Sequence, residues 1–181
     1  MKTFDRRTFL AGSGALTDRR DGRARNLPVP AGFNDSELSF LLREAVLPIA
    51  RGFTPEAIVV TCGADALAGD PLSRLELSNV ALCDAVEGLV ALCPRAVVLG
   101  GGGYNPWTLS RCWTGLWGRL SGRDVEIELP PDARALLAGF ECDLVDEEES
   151  DPRWLTHLWD ERKEGPVRDE IRHIAQIVTR P

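Results

Sequence analysis

Two stretches of this chain combine residue types that can do chemistry with a spacing that would let them act together. The first, C-G-A-D-A-L-A-G-D-P-L at residues 62–72, places Asp65 and Asp70 near Gly63 and Gly69. A carboxylate in such a loop can ligate a divalent cation, and glycines let a ligand approach the backbone closely. The same aspartates could equally accept hydrogen bonds from their own turns. In the second stretch, four glycines at 100–103 run straight into Tyr104 and Asn105. A phenol aimed by an otherwise bare turn suits donation of a hydrogen bond to a developing oxyanion. A phosphate-cradling loop is the rival reading, but G-x-G-x-x-G fails at Asn105 and no G-K-[ST] follows. An ordinary packed tyrosine after a flexible connection is the other.

Cysteine and histidine usage narrows the remaining chemistry. Cys62, Cys83, Cys93, Cys112 and Cys142 form no C-x-x-C pair, and three of them fall within or at the end of apolar helical patterns, where a thiol packs as a small hydrophobe. This usage indicates a reducing, cytoplasmic setting. The only histidines are His157 and His173. No H-E-x-x-H, no D-x-H and no adjacent histidine pair can be written.

The elements that would position these loops follow from periodicity. Asn26 to Pro30 reads as a short extended segment. Asn34 with Glu37 three residues later signals a capped helix, continued by Leu38, Leu41, Leu42, Ala45, Val46 and Ile49 on one face and expected to kink or end at Pro48. Ala57–Thr61 and Ala96–Leu99 are short apolar runs of the kind found in parallel strands covered on both faces. A helix over Asn79–Leu92 separates them. Pro106 opens another, with Leu109, Cys112, Trp113, Leu116, Trp117 and Leu120 as its apolar stripe. Val125, Ile127 and Leu129 alternate as in a half-exposed strand. Beyond them come an acidic run from Asp143 to Asp151, read as a solvated linker, two tryptophans expected to be exposed (Trp154, Trp159), and an amphipathic helix carrying Val167, Ile171, Ile174 and Val178.

Alternating strands and helices define an α/β class with a parallel sheet flanked by helices. Ligands in such folds sit beyond the carboxyl ends of the strands, where both chemically interesting loops begin. The domain reading is an irregular segment at 1–25, an α/β portion at 26–123, and an acidic linker with a C-terminal helix at 124–181. With 181 residues, 44% apolar and 27% charged, the chain is large enough for a substantial core, and no apolar run approaches the ~20 residues of a membrane span. A net charge of −7 argues against direct nucleic-acid binding. Asp5 to Leu16 has the outline of a twin-arginine signal, but Gly12, Ser13 and Gly14 interrupt its apolar part and charged residues follow. A coincidental match or a fragment start is the expectation.

Taken together, T-C-G-A-D-A-L-A-G-D-P-L (Thr61 to Leu72), L-G-G-G-G-Y-N (Leu99 to Asn105) and R-C-W (Arg111 to Trp113) resemble the C-terminal half of the zinc-dependent histone deacetylase family. The match runs from near Gly14 to Leu120. The bacterial acetoin-utilisation deacetylases look closest, with E-G-P-V-R-D-E-I-R near the C-terminus as a weaker addition. The resemblance implies an arginase/deacetylase-like fold and hydrolysis of an acetylated amine, such as N-acetyl-lysine in a small molecule or a protein. In that family zinc, with ferrous iron as an alternative, is held by two aspartates and a histidine, a histidine pair moves protons, and a tyrosine stabilises the tetrahedral intermediate. By the resemblance, Asp65 is the last metal-ligating aspartate and Tyr104 the oxyanion-stabilising tyrosine. Leu72 lines the acyl-lysine channel, Gly102 contributes channel backbone, and Asp70 shapes the loop. The family's D-x-H element and histidine pair have no counterpart here, so the chain is expected to begin inside the fold and to be inactive alone. A sheet lacking its first strands would expose an apolar edge and face open to pairing with another chain. A non-catalytic interaction module is the alternative function, and a nucleotide-binding domain a remoter one.

Overall fold

The structure, a computed structural model, describes residues 24–123, 125–145 and 150–180. The twin-arginine stretch and acidic residues 146–149 lie outside the described residues. Helix α1 (Asp35–Leu41) begins at the anticipated capping box. Glu37 N–H donates to Asn34 Oδ1 at 3.1 Å, and Asn34 N–H donates back to Glu37 Oε2 at 3.3 Å. Pro48 does not end the helical run; the regular spiral is interrupted just before it. A π-helical turn over Leu42–Val46 widens the spiral so that Leu47 N–H reaches the Leu42 carbonyl, and α2 (Leu47–Gly52) then starts with proline in its first turn. There its missing N–H leaves no bond unmade.

Strands β1 (Ile58–Cys62) and β2 (Ala96–Gly100) pair in parallel, from Ile58 opposite Ala96 to Cys62 opposite Gly100. The crossover between them is α3 (Asn79–Val90), capped by Ser78, whose Oγ accepts from Ala81 N–H at 3.1 Å. Helix α4 (Pro106–Leu120) follows β2. Val60 and Cys62 on one face of the sheet pack with Cys83 and Val86 of α3 and Leu116 of α4. The other face is open, with Val59, Val97 and Leu99 exposed at 65%, 53% and 47%. Strands expected to be covered on both sides are thus covered on one, because the described residues bring helices to one face alone.

A second cluster lies beside the sheet. Phe33, Leu41 and Ala45 meet Ala64 and Leu67 of the first loop, Cys112 of α4, and Ile171, Ile174 and Val178 of helix α6 (Asp169–Val178). The last helix therefore docks on α1 and the π turn, not on the sheet. Arg168 fixes that docking by donating to the fully buried Glu37 through Nε and Nη2, each at 2.6 Å. Burial alone would raise the Glu37 carboxyl, but the hydrogen bonds from Arg168 and Asn34 outweigh it and hold the group below its ordinary range.

Between α4 and α6 the chain departs from the sequence reading in three places. Val125, Ile127 and Leu129 form no strand, since the only pairing there among the described residues is a single antiparallel bridge between Glu128 and His157. Helix α5 (Pro131–Ala138) occupies part of the stretch read as linker, and Leu129, Leu137 and Leu158 form a third apolar cluster with Trp107 and Leu155. Trp154 is buried and Trp159 half-buried rather than exposed, whereas Trp117 and Leu120 on the expected stripe of α4 face outward. Arg111 ties this region to α4 from a fully buried position, donating to the His157 carbonyl and to Asp160 Oδ1, both at 2.6 Å.

Candidate functional site

The parallel register fixes where the two loops start. Cys62 and Gly100 are partners at the carboxyl ends of neighbouring strands, so the Asp65 and Tyr104 loops leave the same rim of the sheet. A short 3-10 turn over Ala64–Ala66 carries Asp65. Ala64 N–H donates to the Gly102 carbonyl at 2.7 Å, joining the loops at their roots.

Three of the four glycines, Gly101, Gly102 and Gly103, prove to be a packing requirement. A Cβ at Gly101 would stand 3.0 Å from the Gly63 backbone, and one at Gly103, whose φ is +144°, would lie 2.9 Å from the Ala64 Cβ. Side chains at Gly63 or Gly102 would collide with the Asp65 carboxylate. That carboxylate is therefore seated in a cradle between two glycine backbones, and one of them is Gly102, two residues before Tyr104. The Tyr104 ring itself is 46% exposed and Leu72 47% exposed, as groups that meet something from outside would be.

Asp70 does the loop-shaping work anticipated for it. Its buried carboxylate accepts Leu72 N–H on Oδ1 at 2.9 Å and Tyr104 N–H on Oδ2 at 2.7 Å. One side chain thus fixes both the leucine and the tyrosine that the sequence singled out. Asn105 completes the link. Fully buried, it caps α4 by accepting Trp107 N–H at 3.0 Å and Thr108 N–H at 3.2 Å, while its Nδ2 donates to the Gly69 carbonyl at 2.9 Å. Sequence reasoning passed over this residue although the signal was present, since asparagine before a helix-opening proline is a strong N-cap.

Neither histidine joins these contacts. The His157 ring meets Thr156 Oγ1 at 2.7 Å through Nδ1, and His173 is exposed on α6. The five cysteines are unpaired. Burial pushes the Cys62 thiol up, and a hydrogen bond with Cys83, reinforced by burial, pushes Cys112 up, so both are packing groups rather than thiolate nucleophiles. Among the described residues no three His, Cys, Asp or Glu side chains gather to hold a metal. Asp65 is one suitable oxygen donor, and it does not make a metal site by itself.

Comparison with known proteins bears on this arrangement. Residues 3–120 match the family model described as histone deacetylase domain. Over 126 residues, 67% of this chain and 33% of the relative, the chain is 32% identical to Histone deacetylase 8 of Danio rerio. It is 35% identical to Histone deacetylase HOS1 of Saccharomyces cerevisiae over 109 residues, covering 59% of this chain and 23% of that protein. Among solved structures, an HDAC homologue from Aquifex aeolicus superposes with a TM-score of 0.79 at 35% identity, covering 86% of this chain and 42% of that one. An HDAC homologue complexed with SAHA gives 0.78 at 34%, with the same coverage. The chain therefore spans about a third of the Danio rerio relative and under half of the solved homologues.

Proposed function

This chain belongs to the histone deacetylase domain family, and from that premise we propose that it contributes Asp65 and Tyr104 to a zinc-dependent centre that hydrolyses an acetylated amine such as N-acetyl-lysine. The observation that carries the reading is the seating of the Asp65 carboxylate against Gly102, two residues ahead of Tyr104, at one rim of a parallel sheet. In the hydrolysis, water adds to the acetyl carbonyl, the C–N bond breaks, and acetate and a free amine leave.

Each residue has a share in this. Tyr104, with its backbone held by Asp70, donates its phenolic O–H to the oxygen on which negative charge collects as the carbonyl becomes tetrahedral. Leu72 offers an apolar wall to the aliphatic stem of an acylated lysine, and Gly102 contributes channel backbone, its missing side chain leaving the space that the Asp65 carboxylate fills. Asp65 would be one ligand of the metal, with the other donors coming from outside the described residues. When bound, zinc or ferrous iron supplies Lewis-acid polarisation of the carbonyl and a more acidic water.

On this reading the chain is inactive alone and acts within a domain completed by further polypeptide. A bacterial acetoin-utilisation type is supported by E-G-P-V-R-D-E-I-R near the C-terminus. Cytoplasmic residence is supported by five unpaired cysteines, and among the described residues no helix is long and apolar enough to cross a membrane. A non-catalytic interaction module is the second reading, favoured by the open sheet face at Val59, Val97 and Leu99.

The discriminating experiment uses the assembled domain, with metal content and hydrolysis of an acetyl-lysine peptide measured side by side. Tyr104→Phe is expected to keep the metal and lose about 10² to 10³ in turnover, the usual scale for one oxyanion donor. Asp65→Asn is expected to lose metal. Equal metal loss in both variants would contradict the division of roles, and absent hydrolysis in the wild type would favour the interaction module.

A further inference from the structure

Residues beyond the 3–120 family match reach back to the first loop of the site and to the start of α4, and one side chain does both. Trp154, on a 3-10 turn over Pro152–Leu155, is 7% exposed. The edge of its ring fills the space that a side chain at Gly69 would need. A Cβ there would lie 2.6 Å from Cζ2, and the φ of +85° already selects glycine. Its face stacks on Trp107, with centroids 6.3 Å apart and planes at 19°.

These contacts bracket Tyr104. Gly69 immediately precedes Asp70, whose carboxylate holds the Tyr104 N–H, and the Gly69 carbonyl accepts from Asn105, the residue after the tyrosine. Trp107 lies two residues further on, in the first turn of α4, and is itself pinned by donation from Nε1 to the Leu137 carbonyl at 2.8 Å. A wedge between Gly69 and Trp107 therefore spaces the first loop from the start of α4, three residues beyond Tyr104. We propose that Trp154 is a positioning residue for Tyr104, acting through Gly69 and Trp107, so that the C-terminal segment holds the phenol in its working place.

The proposal rests on the role given to Tyr104 above, and its test reads the placement of the phenol rather than turnover. Tyr104 is the chain's sole tyrosine, so 3-fluorotyrosine labelling gives one 19F resonance for it. In Trp154→Ala that resonance is expected to shift and broaden. The Tyr104 amide should exchange about tenfold faster or more, while the amides of α6 keep their protection. Trp154→Phe, which retains an aromatic face against Trp107, should restore both signals in large part. Gly69→Ala, which pushes a methyl into the indole, should perturb the same resonance and serves if Trp154→Ala fails to fold. An unchanged resonance in both Trp154→Ala and Gly69→Ala would overturn the proposal, as would equal loss of protection at Tyr104 and throughout α6. Failure of the assembled domain to hydrolyse acetyl-lysine would instead refute the role of Tyr104 and leave these signals as they are.

Discussion

Removing the Asp70 carboxylate should loosen both loops at once. Asp70→Ala deletes the acceptor of Leu72 N–H at 2.9 Å and of Tyr104 N–H at 2.7 Å. Hydrogen bonds to a charged acceptor are worth roughly 1.5 to 3 kcal/mol each. Because the two donors belong to half-exposed residues that water can partly reach, the lower end applies, giving about 3 kcal/mol for the pair. Asp70→Asn keeps one acceptor oxygen and turns an NH2 toward the other donor, so about half that loss is expected. Urea unfolding followed by tryptophan fluorescence would supply the free energies, and amide exchange at Leu72 and Tyr104 would locate them. If Asp70→Ala costs less than about 0.5 kcal/mol, the scale of an unremarkable surface substitution, or if the Tyr104 amide stays as protected as before, then the carboxylate does not clamp the loops as described.

Three further outcomes are expected. Glu37 is held below its ordinary value, so its contribution to stability is present above about pH 4.3 and disappears as the pH falls through the lowered folded value. Acid titration of Glu37→Gln should accordingly lack that part of the wild-type loss, and identical acid profiles would refute the pairing with Arg168. Arg111→Ala removes the buried partner of Asp160, which keeps Asn79 N–H as a donor, and should cost about 3 kcal/mol, the low end for a broken buried pair, in thermal or urea unfolding. Val97→Lys on the open sheet face should leave stability within about 0.5 kcal/mol while lowering self-association in sedimentation velocity. Stronger association would contradict the reading of that face as a sticky one.

Much of the fold was legible because local signals and tertiary packing agree where the chain runs from Asn34 to Leu120. The capping box, the β-branched runs and the helix-opening Pro106 each describe a conformation that the packed structure keeps. At Pro48 a disturbance of the helix was legible but its form was not, because a π turn carries no signal in a hydrophobic period. The strands were misread as doubly covered because an apolar run reports the burial a finished sheet would provide, whereas the described residues cover one face. Trp154 left no trace in sequence. A tryptophan near an acidic run looks like a surface residue until a glycine notch far away in the chain is brought beside it. For the candidate site, the motif singled out Asp65 and Tyr104, but the reason for the glycines was not legible, since it lies in the approach of Gly101, Gly102 and Gly103 to the opposite loop.

The central claim is that Asp65 and Tyr104 face one metal-assisted centre. The most direct measurement is the 19F spectrum of fluorotyrosine-labelled assembled domain titrated with Co2+ in place of zinc. A large paramagnetic shift of the Tyr104 resonance, assigned by its absence in Tyr104→Phe, reached at stoichiometric metal and abolished in Asp65→Asn, is predicted. Stoichiometric binding of Co2+ with the resonance unmoved, or the same shift persisting in Asp65→Asn, would contradict it.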